Sequence, residues 1–295
     1  MAEFGEPTPL TNPTAGAAEA LPTVAEKKAE GAARHADEVL RWADFPGPER
    51  AAFTSSISER ALVWVFAPTQ DGKGRTSPWS SPPRGAIHLT RAERAEAASI
   101  LVAGVGGVTV AIPAALVAAA DPSDGADLAP GTPVLFSMAG PGSLEGTSRY
   151  GRVADGEMVT VNELEPAFSE DEEPGVVSQF VERAWLRVLD GKLALGAPVV
   201  YTAEGATGCG VYVAPGPTSG QRWVLNAAGD LELVDAAEPI DVGRQYRVGD
   251  EVRAGYDMAP ATVIGVSGPG LGYVVAKKKS TVRSHHAFTC VAPPR

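Results

Sequence analysis

The sequence contains few of the residues from which disulfide frameworks and metal centres are built. Its 295 residues include 2 cysteines and 4 histidines, and aromatic residues make up only 6%. Cys209 and Cys290 lie far apart and form no CxxC pair, which excludes a disulfide framework. A single bond between them remains an alternative to two buried thiols, the usual state of isolated cysteines.

The familiar motifs of catalysis are also missing. The chain has no GxxxxGK[ST] phosphate loop and no GxSxG nucleophile elbow. His285 and His286 are adjacent, and neighbours on a strand point to opposite faces, so they do not share a metal easily. We therefore expect a protein that is not an enzyme and that holds no cofactor and no metal. The alternative is an enzyme whose site lies in residues 60–125, in a cleft lined by His88 and acids.

The balance of charge limits the class of partner. With 36 acidic and 25 basic side chains the net charge is −11, which opposes binding to nucleic-acid phosphate. Residues 154–182 hold nine acids and no base, whereas residues 270–295 hold five bases and no acid. These segments are either a solvated loop and tail, or they attract each other or a charged partner. We expect a protein partner, with a homo-oligomer as a further option.

One uncharged run, residues 97–120, is long enough to cross a bilayer. It contains Gly104, Gly106, Gly107 and Pro113, and much of its apolar content is alanine. These breaks favour a buried helix–strand–helix segment over a membrane span. The opening MAEFGEPTPL is acidic and lacks the apolar core of a signal peptide, so the expected location is the cytoplasm.

The first part of the chain carries two helix-start signals. Residues 1–21 lack periodicity and are expected to be a disordered lead-in, and residues 22–58 an N-terminal helical arm. Thr23 and Glu26 have capping-box spacing, which predicts a helix over 24–44.

Residues 59–126 are predicted to form a mixed α/β region. The segment 61–66 is rich in β-branched and aromatic residues and predicts a strand. Thr90 and Glu93 repeat the capping-box spacing and predict a second helix over 91–103.

From about residue 128 short apolar runs alternate with turn residues, and a pattern repeats. Its three starts are GTPV at 131, GAPV at 196 and GDEV at 249, which lie 65 and 53 residues apart. Each start is followed by two further strand-like runs. Such units are too short for a sandwich, but their strands could close into a small barrel that leaves few exposed edges. We therefore predict three tandem barrels over 127–192, 193–243 and 244–295, the first with an acidic insertion and the last with a basic tail.

The third copy, GDEVRAGYDMAPATVIGVSGPGLGYVV, resembles the opening of Tudor- and agenet-like domains, which belong to the SH3-like barrel group. The residues that carry the resemblance are Gly249, Asp250, Val252, Ala254, Tyr256, Pro260, Ala261, Thr262, Val263 and Tyr273. The resemblance covers about 45 residues well and the two earlier copies loosely. It implies tandem small SH3-like β-barrels and does not extend to the first 125 residues. Together with the helix-start signals of the first part of the chain, the sequence predicts a mainly β protein (α+β overall) of tandem small SH3-like β-barrels, preceded by an N-terminal α-containing region.

Better-known members of that group bind methylated lysine or arginine in a cage of aromatic rings, through cation–π attraction. Tyr256 and Tyr273 lie at plausible cage positions, but Met258-Ala259 replaces the aromatic residue usually found before PATV. The alternative is that both tyrosines pack the barrel. The surface expected to bind a partner comprises Tyr256, Tyr273, Lys277, Lys278, Lys279 and Arg283.

The expected function is therefore that of a non-catalytic binding or scaffolding protein that presents tandem barrels to a macromolecular partner. A structural subunit of a large assembly, such as a virion or a secretion apparatus, is the main alternative.

Overall fold

The computed structural model describes residues 57–68, 85–95, 99–103, 109–120, 128–138, 141, 144, 148–154, 160–164, 175–255, 257–267, 271–277 and 282–291. The predicted lead-in, the N-terminal helix over 24–44 and most of the acidic insertion lie outside these residues. The described residues all belong to one compact unit, Val39–Arg295.

The described part of the chain is built from twenty strands in four antiparallel sheets of five strands each. The first sheet contains β1 (Leu62–Pro68), β2 (Gly85–Ala95), β3 (Ser99–Ala103), β4 (Thr109–Pro113) and β5 (Val117–Ala119). The second contains β6 (Pro133–Ser137), β7 (Ser148–Val153), β8 (Thr160–Leu164), β9 (Val176–Phe180) and β10 (Leu186–Val188). The third contains β11 (Pro198–Ala203), β12 (Ala206–Pro215), β13 (Arg222–Leu225), β14 (Leu231–Val234) and β15 (Ala236–Pro239). The fourth contains β16 (Glu251–Ala254), β17 (Ala259–Ser267), β18 (Gly272–Lys277), β19 (Val282–His286) and β20 (Cys290–Val291).

All four sheets have the same strand order. The first four strands form a meander, and the fifth strand pairs with the free side of the first, so the order is fourth, third, second, first, fifth. In three sheets a single 3-10 turn precedes the fifth strand, at Ala114–Leu116, Arg183–Trp185 and Ala287–Thr289. The sheets are therefore four copies of one arrangement, one more than the sequence repeat predicts.

Each copy begins with the same backbone feature, which we call the entry turn. A residue with positive φ stands two positions before the first strand: Arg60, Gly131, Gly196 and Gly249, with φ of 64°, 86°, 89° and 98°. The backbone N–H of this residue donates a hydrogen bond to the carbonyl of one residue in the second strand. The N–H of that second-strand residue donates in return to the carbonyl of the residue that follows the positive-φ position. The second-strand partners are Ala92, Val153, Tyr212 and Val263.

In three sheets the second strand bends just after its bond to the entry turn. The register with the third strand shifts between Ala92 and Arg94, between Tyr212 and Ala214, and between Val263 and Gly265. Such bulges kink a strand and increase its twist. The second strand is long in these sheets, at 11, 10 and 9 residues, because it pairs with the first strand before the bulge and with the third strand on both sides of it.

The predicted helix over 91–103 is wrong, because residues 91–95 form the end of β2 and residues 99–103 form β3. Thr90 does not cap a helix; it lies in β2 opposite Val63, with its side chain buried. Glu93 instead accepts a hydrogen bond from the Thr109 hydroxyl at 3.0 Å. Cross-strand pairing thus overrides a local capping signal.

The described residues of the uncharged run 97–120 form three strands and a 3-10 turn, so the two helices of the expected helix–strand–helix segment are wrong. The strand Thr109–Pro113 agrees with the central strand of that expectation, and a single 3-10 turn follows Pro113. Among the residues that the structure describes, no helix has the length and apolar character needed to span a bilayer.

The four sheets share a hydrophobic core. The second, third and fourth sheets each enclose a small cluster of their own. The core of the first sheet, which includes Trp64 and Phe66, continues into residues of the other three sheets, among them Leu135, Cys209 and Phe288. A single sheet of this size buries little apolar area, so packing against its neighbours supplies the missing burial.

Candidate functional site

One of the two tyrosines predicted to bind a partner, Tyr273, is a core residue of the fourth sheet. Tyr273 is 1% exposed, and its ring packs edge-on against Tyr246 with centroids 5.4 Å apart. The backbone N–H of Tyr246 donates to the Tyr273 hydroxyl at 3.1 Å. A buried ring presents no face to a methylated cation, so Tyr273 packs the sheet. The alternative interpretation, that both tyrosines pack the barrel, also concerns Tyr256, which lies outside the described residues.

The basic residues predicted beside it are described only in part. Lys277 lies at the end of β18 and makes a salt bridge to Asp257 at 2.9 Å. The hydrogen bond from Lys277 lowers the pKa of the Asp257 carboxyl. Arg283 lies on β19 opposite Val275, but its side chain is outside the described part, as are Tyr256, Lys278 and Lys279. The structure therefore brings none of the predicted partner-binding residues together on a described surface.

His88 does not lie in an open cleft. It is 6% exposed on β2, opposite Val65 of β1. Within the described residues no three of His, Cys, Asp and Glu come together as metal ligands could. Cys209 is a buried free thiol, so it forms no disulfide with Cys290.

The most exposed aromatic side chain among the described residues lies on strand β9, at one end of the second sheet. Phe180 is 72% exposed and Val176, four positions earlier, is 42% exposed. The strand alternates in exposure along its length, with Val176, Ser178 and Phe180 outward. Because alternate residues share one face of a strand, Val176 and Phe180 lie on the same face.

Strand β9 is also a sheet edge. It pairs with β8 in antiparallel register, from Thr160 opposite Phe180 to Leu164 opposite Val176. No other strand of the described chain pairs with its second side. An edge strand with apolar side chains is a template for pairing with a further strand. Sequence reasoning missed this edge, because VVSQF has no apolar/polar alternation and only the exposure of its residues alternates.

A second feature of note is the junction at which three sheets meet. Arg152 of β7 is 3% exposed, and its guanidinium donates to the carbonyls of Gly131 at 3.0 Å and Val242 at 2.7 Å. The same guanidinium lies 5.9 Å from the centre of the Phe288 ring. Tyr150, two residues earlier on β7, has its ring centre 5.0 Å from that of Phe288. Burial of the cation lowers the pKa of Arg152.

The junction therefore joins the entry turn of the second sheet, the segment between the third and fourth sheets, and the last 3-10 turn. Tyr150 extends it to the third sheet, because its hydroxyl donates to the carbonyl of Gly196 at 2.9 Å. Two side chains of β7 thus bind entry-turn carbonyls, Arg152 that of its own sheet and Tyr150 that of the next.

Comparison with known proteins assigns the chain to no family. No protein-family model matches it, and no curated protein matches its sequence. The described part of the chain is mainly antiparallel β structure, with four five-stranded sheets of one strand order.

Proposed function

We propose that the protein is a non-catalytic binding or scaffolding protein, that its four sheets are tandem SH3-like barrels, and that it accepts an extended segment of a protein partner along β9. The observation that carries this proposal is the edge strand β9 with its exposed Phe180.

Three features support small barrels. The fifth strand returns to pair with the first strand on the side away from the meander, so each sheet is continuous over all five strands. The second strand is bulged in three copies, and bulges supply the curvature that closure requires. The inward faces carry compact apolar clusters, such as Val252, Val263, Tyr273 and Val275 in the fourth sheet.

The shared core supports a scaffolding role. Because residues of all four sheets pack in one cluster, the sheets hold one another and the β9 edge is held on a fixed support. A fixed strand edge binds an extended peptide with less loss of conformational freedom than a mobile one does.

The chemistry of the edge defines the partner segment. Backbone pairing with β9 requires an extended peptide, and the face bearing Val176 and Phe180 favours apolar residues at alternate positions. The surrounding sequence, 154–182, has nine acids and no base. Lysine or arginine at the intervening positions of the partner would complement that charge.

The test uses a labelled peptide of alternating Lys with Val or Phe, and a scrambled peptide of the same composition in which the alternation is lost. Fluorescence anisotropy of the full chain should show binding to the alternating peptide only. Phe180→Ser should weaken binding about tenfold or more, since it removes an exposed aromatic contact worth more than about 1 kcal/mol. Ile264→Ser is the matched control, because Ile264 is 45% exposed on β17 of another sheet.

Equal binding by the Phe180→Ser and Ile264→Ser variants, or equal binding of both peptides, would contradict the proposal. Light scattering of the full chain distinguishes a binding protein from a structural subunit of a large assembly. A large ordered oligomer would favour the structural subunit.

A further inference from the structure

A pocket of about 230 Å³ lies where the third sheet meets the second and fourth. Its base is a row of residues paired across the third sheet, Pro198 with Val211 and Val211 with Leu225. Tyr150 of the second sheet and Phe288 of the fourth complete the wall. The turn that follows β13, with the exposed Ala227, forms the rim.

Among the residues that the structure describes, the wall carries no charged side chain. Its lining residues are Tyr150, Pro198, Cys209, Gly210, Val211, Leu225, Asn226, Ala227, Phe288 and Thr289. Burial raises the pKa of Cys209 to about 12, so its thiol stays protonated, with the Gly255 carbonyl as its acceptor. A charged ligand entering this pocket would lose hydration without gaining a counter-charge, so the pocket favours a neutral ligand.

The polar side chains of the wall are held by the protein itself. The Asn226 Oδ1 atom accepts hydrogen bonds from the N–H groups of Ala228 and Asp230, and its amide nitrogen donates to Glu232. The Tyr150 hydroxyl donates to Gly196. These bonds hold the Asn226 and Tyr150 side chains in place. The affinity for a ligand would therefore come mainly from apolar contact and ring packing.

Size and shape narrow the ligand further. A cavity of about 150 Å³ holds benzene, so by proportion about 230 Å³ holds about nine non-hydrogen atoms. The Tyr150 and Phe288 rings, 5.0 Å apart and inclined by 32°, offer faces and edges that favour a flat ring.

We propose that this pocket between three sheets binds a small, neutral, flat aromatic molecule of the size of indole. The site is separate from the peptide edge, because no residue of β9 lines the pocket. A ligand there contacts three sheets at once and stabilises their junction, since it binds the folded chain and not the unfolded one.

The test is a titration of the full chain with 5-fluoroindole followed by fluorine NMR, and with indole followed by thermal unfolding. We expect saturable binding to one site and a melting temperature that rises with indole concentration. Val211→Trp fills the pocket from β12 and should weaken binding at least tenfold. Ala227→Phe obstructs the rim from an exposed turn and should do the same without disturbing the core.

Leu233→Trp is the control, because Leu233 is 38% exposed on β14 of the same sheet and does not line the pocket. It should bind as the unchanged chain does. If Val211→Trp fails to give the circular-dichroism spectrum of the native fold, the binding measured for Ala227→Phe alone tests the proposal. No saturable binding to the folded chain up to the solubility of indole, or unchanged binding in Ala227→Phe, would overturn the proposal.

Discussion

The backbone N–H of Arg60 donates a hydrogen bond to the carbonyl of Ala92 at 2.7 Å, and the N–H of Ala92 donates to the carbonyl of Ala61 at 2.9 Å. The same pair of bonds links Gly249 with Val263 and Val263 with Asp250 in the fourth sheet. The first sheet thus has the entry turn of the other three, built on an arginine where they have glycine. Positive φ is costly for any residue with a Cβ, so the backbone at Arg60 is strained, whereas the glycines at the other three entry turns are not.

Replacing Arg60 by glycine should therefore stabilise the protein. Relief of the left-handed strain is worth about 1–2 kcal/mol, of which the greater freedom of glycine in the unfolded chain cancels about half. We expect a gain of about 0.5–1 kcal/mol in the free energy of unfolding, measured by urea denaturation. Glu59→Gly is the control, because Glu59 is exposed and has no positive φ; it should not stabilise. If Arg60→Gly lowered the free energy of unfolding as much as Glu59→Gly does, the backbone at Arg60 would not be strained.

The entry turns differ in how much room surrounds the glycine. A Cβ at Gly249 would meet nothing within 4 Å, whereas one at Gly196 would overlap the Cδ2 atom of Leu135 in the second sheet. Gly249→Ala should cost about 1–2 kcal/mol from backbone strain alone. Gly196→Ala should cost about 1–3 kcal/mol more, from overpacking.

Denaturant unfolding of both variants measures that difference. Leu135→Ala should partly rescue Gly196→Ala and should leave the cost of Gly249→Ala unchanged. Equal costs for the two glycines would show that the second and third sheets do not approach at this point.

The sequence predicts much of the strand content but less of the architecture. GTPV, GAPV and GDEV mark three first strands, because glycine before an apolar run is a strong turn signal. The first copy is not predicted because Arg60 stands where the other three copies have glycine, so the glycine turn signal is absent. Its alanine-rich strands also have helical propensity, which cross-strand pairing overrides.

The candidate surface is harder to predict than the strands. Tyr273 and Phe180 are both aromatic residues in strand-like runs, yet one is 1% exposed and the other 72%. Exposure depends on which strand ends the sheet and on how the sheets pack. Neither property is local to a few residues, so the sequence around Phe180 does not reveal it.

The buried cation of the junction should be important for stability. Arg152→Met keeps an apolar stem but leaves the carbonyls of Gly131 and Val242 without their donor, and each loss costs about 1–3 kcal/mol. We expect a loss of about 2–6 kcal/mol in the free energy of unfolding. Arg149→Met, on the exposed face of the same strand, should change it by no more than about 0.5 kcal/mol.

A double-mutant cycle of Arg152→Met with Phe288→Leu measures their direct coupling. Cation–π attraction predicts a coupling of about 0.5–2 kcal/mol. Strict additivity would show that the two side chains do not interact.

The pair formed by Lys277 and Asp257 predicts a dependence on pH. The pKa of Asp257 is lower in the folded chain than in the unfolded chain, because Lys277 hydrogen-bonds its carboxylate. The pair therefore contributes stability above the unfolded pKa of about 4, and this contribution is lost as the pH falls through the folded value. It is less than about 1 kcal/mol, since the Asp257 side chain is 66% exposed.

Lys277→Met should thus be slightly less stable than the unchanged chain at pH 7 and equally stable at about pH 2. Urea denaturation at both pH values tests this. A deficit that persists at the acid pH would mean that Lys277 contributes through packing and not through Asp257.

In this structure a common core joins four copies of one five-stranded sheet. Scanning calorimetry of the full chain measures whether the four copies unfold together. A shared core predicts that the four sheets unfold in one transition, with a calorimetric enthalpy close to the van't Hoff enthalpy. Separate transitions, each with the enthalpy expected of one sheet, would contradict the common core.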